Sequence, residues 1–327
     1  KKQIDIYNTN NYWDYYKKIT NPYEYIHTHV NNRNSSVCKY KPLSRSFFKM
    51  IEIINIFNFF DDKNEINSFH LAEGPGGFIE ATSHIRKNPN DTYYGMTLIN
   101  NDPNVPGWKK TKHFLDSNSN ITLEYGITKT GDLLSVDNLK YCYEKYNNSM
   151  EIITADGGFD FSVDFIHQEQ MAYKLIFSEI LIAISIQKPG GCFVCKFFDM
   201  FENSTIQLLW IIGQLYDELI ITKPVTSRPA NSEKYVIGKG FKGISQKMMN
   251  KFYYIVENWD RLSVVERILI LDERINYDFL IVISDYNILN AGLQIDTIDK
   301  TLRLINLSYN KEEINRNRKI QCKKAIK

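Results

Sequence analysis

The 327-residue chain is 43% hydrophobic and carries 40 Lys and Arg against 38 Asp and Glu, for a net charge of +2. It can bury one large core or two smaller ones. It has no run of about 18 or more apolar residues that would span a bilayer, and its polar opening, KKQIDIYNTNNYWDYYKK, does not read as a secretory leader. A balanced total neither demands nor excludes nucleic acid, because a basic groove can hide inside it. Five scattered cysteines form no disulfide framework and point to a reducing compartment. Cys192 and Cys195 match C-x-x-C, but they lie in a strand-like run where side chains three apart face opposite ways, so no metal set is expected.

Residues 1–40 are rich in Tyr and Asn and read as short helical pieces around turns. A helix is expected over 44–60, with Ser44 as N-cap and Phe47, Ile51 and Ile54 on one face. SFHLAE reads as a short buried strand, and GFIEATSHIR as a helix with Phe78, Ala81 and Ile85 on one side. Further strands are expected at 92–98, 121–126, 151–157, 191–198, 218–224 and 233–241, with helices at about 163–187 and 204–216. Lys188-Pro189-Gly190-Gly191 is a stop signal after the first of these helices. The alternation predicts an α/β fold, a Rossmann-like, doubly wound and mostly parallel sheet. The last two strands are joined by VTSRPANS with no helix and predict an antiparallel hairpin at one edge. Beyond 245 the chain reads as helices and a frayed basic tail. The expected organisation is an N-terminal extension (1–43), a central domain (44–245) and a mainly helical C-terminal extension (246–327).

Gly74-Pro75-Gly76-Gly77 follows a strand and opens a helix, the context of a loop that lets a ligand approach the backbone. The spacing is neither G-x-G-x-x-G nor a P-loop. S-adenosylmethionine fits better: its amino-acid group would meet the backbone of Gly74, Pro75, Gly76, Gly77 and Phe78 and the free N–H groups of the helix, with Glu73 offering a carboxylate. The plain alternative is a tight turn that packs helix on strand. Three ionisable residues fall at the same predicted sheet edge: Asp156 in ITADGGFD, Lys196 in GGCFVCKFF and Glu233 in NSEKYVIG. A lone Lys in a buried strand is costly unless paired or functional.

These stretches, with LSRSFFKMIEI, HLAEGPGGFIEA, GMTL, TGDLL and KPVTSRPANSEKYVIGKGFKG, resemble the FtsJ-like (RrmJ-like) ribose 2'-O-methyltransferases over about residues 40–245. The likeness is greatest to the mRNA cap-ribose branch of eukaryotes and large DNA viruses. The resemblance implies a catalytic tetrad of Lys49, Asp156, Lys196 and Glu233, with Lys196 as base or stabiliser of the ribose oxygen. It also implies S-adenosylmethionine contacts from Thr97, Asp132 and Asp156. Lys49 is singled out by the resemblance alone, since a Lys on an amphipathic helix is usually solvated. The pattern departs at His70, where Asp is frequent, at Glu73, where Ala is frequent, and after YGMTL, where no acidic residue stands. For Asp132 a simple turn role is the alternative.

The implied activity is methylation of the first or second transcribed nucleotide of capped mRNA. The alternatives are a ribosomal or transfer RNA substrate, or an inactive RNA-binding scaffold. Capped RNA and capping-machinery proteins are the implied partners. The implied place is the cytoplasm, or the virion for a viral protein, or the nucleus for a cellular one. Trp108 and the cluster NYWDYYKK offer rings beside lysines for stacking, although such clusters are more often packing.

Overall fold

The computed structural model describes residues 2–8, 12–29, 36–60, 65–102, 105–159, 161, 164, 166–271, 274–307 and 310–326. The strands are β1 (Asn67–Leu71), β2 (Thr92–Met96), β3 (Ile121–Glu124), β4 (Met150–Ala155), β5 (Gln187–Phe197), β6 (Tyr216–Thr222) and β7 (Lys234–Phe241). They form a seven-stranded sheet in the order β3-β2-β1-β4-β5-β7-β6. Strands β1 to β5 pair in parallel, whereas β7 runs antiparallel to both β5 and β6. The expected edge hairpin is therefore present, with its second strand inserted beside β5.

Helices α1 (Lys2–Asn8) and α2 (Tyr12–Thr20) and a 3-10 turn (Glu24–Ile26) precede α3 (Ser46–Phe57) and α4 (Gly77–Arg86). Then come α5 (Lys112–Asp116), α6 (Val136–Tyr146), α7 (Gln168–Ile186), α8 (Asn203–Leu215), α9 (Gln246–Glu257), α10 (Val264–Leu271), α11 (Tyr277–Asn306) and α12 (Lys311–Ile326). The period-two alternation of the strands decides the layers. Ile153, Phe193, Cys195 and Val236 face a core completed by α6, α7, α8 and α9. Their strand neighbours Ile152, Cys192, Val194, Tyr235 and Ile237 face α3 and α4. Cys192 and Cys195 thus lie on opposite sides of the sheet. A third cluster joins Tyr16 and Ile19 of α2 to Leu302, Leu304, Ile305 and Ile314 of α11 and α12.

Four local expectations change. Ser44 is not the N-cap of α3. Arg45 holds that place without a side-chain bond, and the Ser44 and Ser46 hydroxyls pair with each other at 2.5 Å. The Lys-Pro-Gly-Gly stretch ends α7 but is itself the start of β5, where a register shift opposite Met150 and Ile152 absorbs it. The basic tail is a helix, α12, with Ile314 and Gln321 buried. The strand expected over 92–98 stops at Met96 because the chain turns to the loop after β3, where Ile99 N–H donates to the Thr130 carbonyl at 2.7 Å. The expected start of α7, residue 163, lies outside the described residues.

Candidate active site

Register brings the chemistry to one line. Leu71 pairs with Met96 and Ala155, Met96 with Glu124, and Ala155 with Cys195. The next residue on each of the four parallel strands is Ala72, Thr97, Tyr125 or Asp156, and on β5 it is Lys196, paired with Tyr235 of β7. This is the carboxyl edge of the parallel strands, where open α/β sheets bind ligands.

Lys196 Nζ donates to the Asp156 carbonyl at 2.8 Å and lies 3.3 Å from Asp156 Oδ1. The Tyr235 hydroxyl donates to that same Oδ1 at 2.8 Å. Lys49 reaches in from α3, 2.7 Å from Glu233 Oε1 and 3.4 Å from the Tyr235 hydroxyl. Ser227 donates to Glu233 Oε1 at 2.7 Å. The four expected residues therefore form one network, with Tyr235 as its bridge. Their side chains are only 11–16% exposed, so water screens these charges weakly.

Burial alone would push Lys196 down, but Asp156, Glu233 and Glu179 around it outweigh burial and raise its pKa above the ordinary lysine value. Burial would likewise raise Glu233, yet Lys49 and Lys196 hold it down at about 2. Glu179 lies fully buried on α7, and its Oε1 accepts the Gly157 N–H at 3.1 Å. A β-carbon at Gly157 would overlap that oxygen. Burial lifts Glu179 to about 8. A β-carbon at Gly158 would stand 3.2 Å from Lys196 Nζ and 3.6 Å from the Phe198 ring, so the glycine keeps this side of the amine uncrowded by its own chain.

The glycine loop has structural duties of its own. Gly76 has φ +110°, a left-handed conformation that favours glycine. A β-carbon at Gly77 would overlap the Ser44 and Ser46 hydroxyls, and one at Gly74 would come within 2.7 Å of Gly107 Cα. The expected free N–H groups of α4 are not all free. Glu73 Oε1 accepts Phe78 N–H at 2.8 Å and Ile79 N–H at 2.9 Å, and burial lifts this carboxyl to about 8. His70 is fully buried on the sheet face opposite Phe69 and Leu71, 2.9 Å from Ser68 Oγ and 2.8 Å from Thr154 Oγ1, and burial holds it neutral with a pKa of about 3.

The loops after β2 and β3 meet where a β-carbon at Gly131 would overlap the Thr97 carbonyl, and Asp132 Oδ1 accepts Leu134 N–H at 2.9 Å. Trp108 lies between Gly76 and Gly95 with its indole Nε1 buried and without a partner. Its ring packs against the loop, and Tyr16 of the other aromatic cluster is core. For S-adenosylmethionine the residues fit in charge and place. The glycine loop, Thr97, Asp132 and Asp156 follow neighbouring strand ends, and Gly158 adjoins Lys196.

Sequence reasoning missed Tyr235, Ser227 and Glu179. Only Glu179 left a signal, a single acid in the apolar run LIFSEILIAISI. Glu24 was missed too. It is fully buried, accepts from Arg45 at 2.7 Å and from Arg228 at 3.0 and 3.1 Å, and ties the 3-10 turn to α3 and to the β6–β7 loop.

A lysine–carboxylate network at the carboxyl edge of such a sheet, beside a glycine loop that opens a helix, defines a methyltransferase of the Rossmann-like class. Residues 42–241, more than half of the chain, match the family model described as FtsJ-like methyltransferase, and the chain belongs to that family. Cap-specific mRNA (nucleoside-2'-O-)-methyltransferase 1 of Trypanosoma brucei brucei is 31% identical over 184 residues, which are 56% of this chain and 49% of that protein. Cap-specific mRNA (nucleoside-2'-O-)-methyltransferase 2 of Danio rerio is 27% identical over 306 residues, 89% of this chain and 40% of that protein. The corresponding methyltransferase 1 of Dictyostelium discoideum is 31% identical over 272 residues, 76% and 34%. The chain thus spans half or less of the length of these relatives.

Proposed function

We propose that the protein methylates a ribose 2'-hydroxyl at the first or second transcribed nucleotide of capped mRNA, with S-adenosylmethionine as methyl donor. The observation that carries this reading is the joined network of Lys49, Asp156, Lys196, Glu233 and Tyr235 at the strand ends. Relatives named for the cap reaction support the substrate.

When bound, S-adenosylmethionine supplies an electrophilic methyl group. The chain's own residues must align the weakly acidic ribose hydroxyl and remove its proton. Lys196 Nζ lies 3.2 Å from where a β-carbon of Gly158 would stand; once deprotonated, its amine can take the hydroxyl proton, and the ammonium so formed stands against the negative charge that develops on the ribose oxygen. Asp156 orients that amine, and Tyr235 fixes Asp156 in turn. Glu233 and Lys49 form the flanking pair whose net field sets how readily Lys196 gives up or takes a proton.

The test is transfer of labelled methyl to capped, uncapped and already 2'-O-methylated RNA, followed by nuclease digestion. Label in a cap-proximal ribose of capped RNA alone is expected. Label on a base, or on internal riboses irrespective of the cap, would overturn the assignment.

A further inference from the structure

A cavity of 290 Å³ opens between the β6–β7 loop and the helices α11 and α12, with Lys223, Lys234, Lys300 and Lys324 in its wall. Among the described lining residues Asp296 is the sole carboxylate. The two inner lysines spend their protons largely on uncharged acceptors. Lys223 Nζ donates to the Asn231 carbonyl and Oδ1, both at 2.8 Å, and to the Glu233 carbonyl at 2.7 Å. Lys234 Nζ donates to the Ser232 carbonyl at 2.9 Å and the Phe198 carbonyl at 3.1 Å, with Asp199 Oδ1 at 3.3 Å. Their hydrogen bonds are met but their charge is only partly offset. Burial, aided by Lys234 and Lys49 and opposed by Glu233, pulls Lys223 down to about 7. An anion would relieve that cost.

The cavity adjoins the catalytic network. Lys223 holds the main chain of Glu233, whose carboxylate binds Lys49. Lys300 and Lys324 come from helices beyond the family-matched residues 42–241, so this wall belongs to the chain's own C-terminal part. Gln294 Nε2 fastens α11 to the loop by donating to the Ala230 carbonyl at 3.1 Å. Ammonium groups act as point charges toward phosphate and read no base, which suits a backbone contact.

We propose that this cavity holds a backbone phosphate of the RNA substrate close to the methylated nucleotide, with Lys300 and Lys324 closing on it. The proposal rests on the RNA reading above. The test is a Lys300→Glu, Lys324→Glu double variant. Both side chains are exposed, so the fold is retained, and a melting curve checks this. A control carries Lys247→Glu on α9. Fluorescence anisotropy with a short labelled capped RNA should show affinity falling about tenfold or more and the salt slope falling by about 1 to 2, while the control stays within about twofold.

Unchanged affinity, or an equal loss in the control, would overturn the proposal. So would competition by inorganic pyrophosphate that the double variant abolishes without altering RNA affinity, which would mark a free-anion site. If the wild type methylates capped RNA and the double variant binds it equally well, the cavity assignment alone fails. If the wild type neither binds nor methylates RNA, both readings fall.

Discussion

At the scale of single residues, the proposed chemistry turns on the charge of Lys196. Asp156, Glu233 and Glu179 raise its pKa, so the free protein carries an ammonium there near neutral pH. Turnover should therefore still be climbing with pH at about 9, and Glu233→Gln, which removes one of those negative charges, should start the rise at lower pH. A wild-type pH–rate profile that levels off below about 8 would exclude Lys196 as the group that limits proton removal. Tyr235→Phe removes the hydroxyl that fixes Asp156, a loss of about 1 to 1.5 kcal/mol that should lower kcat about fivefold to tenfold. Steady-state kinetics would check it, with a melting curve to confirm that the variant is folded at the assay temperature. Lys196 was legible in the sequence because a charge inside an apolar strand needs a reason, and Asp156 and Glu233 because they fall with it at one predicted sheet edge. Tyr235 was not, since an aromatic residue in YVIG reads as core. Lys49 stands on a helix that gives no local signal, and only the family resemblance marked it.

Elements are placed by the close approach of α3 and α4. Gly77 lets the start of α4 dock on the Ser44 and Ser46 hydroxyls. Gly77→Ala should destabilise the protein by roughly 1 to 3 kcal/mol through overpacking, and Ser44→Ala with Ser46→Ala should recover part of that loss in chemical denaturation. No recovery would mean that the strain lies elsewhere. The question raised by Gly74-Pro75-Gly76-Gly77 thus has a structural answer before any ligand enters: packing requires Gly74 and Gly77, and φ requires Gly76. The order of strands and helices was legible because both sheet faces are buried and the helices between them are apolar enough to show. The α12 helix was not, because a basic sequence with Ile314 and Gln321 as its buried residues carries no apolar stripe. The Lys-Pro-Gly-Gly stop hid a strand start because the bulge that accommodates it depends on β4.

Across the whole molecule, buried carboxyls set the pH range of stability. Glu24 is held at about 2 by Arg228 and Arg45 despite its burial, so its contribution is present above the ordinary value of 4.5 and is lost as pH falls toward 2. Glu233 behaves the same way. Glu73 and Glu179 are raised to about 8, so their contribution is full below 4.5 and is lost as pH rises through 8. Melting temperature should peak at about pH 5 and fall on both sides, and Glu24→Gln should flatten the acid limb. A Tm that rises steadily from about pH 5 to 8 would contradict this.

The same clamp couples the N-terminal turn to the loop that presents Glu233, so fold stability and the site share residues. The central claim, that the strand-end network performs methyl transfer, is tested most directly by Lys196→Ala on capped RNA, with S-adenosylmethionine affinity measured by calorimetry alongside. Transfer should be lost while folding and cofactor affinity are retained. Turnover at the wild-type rate would contradict it.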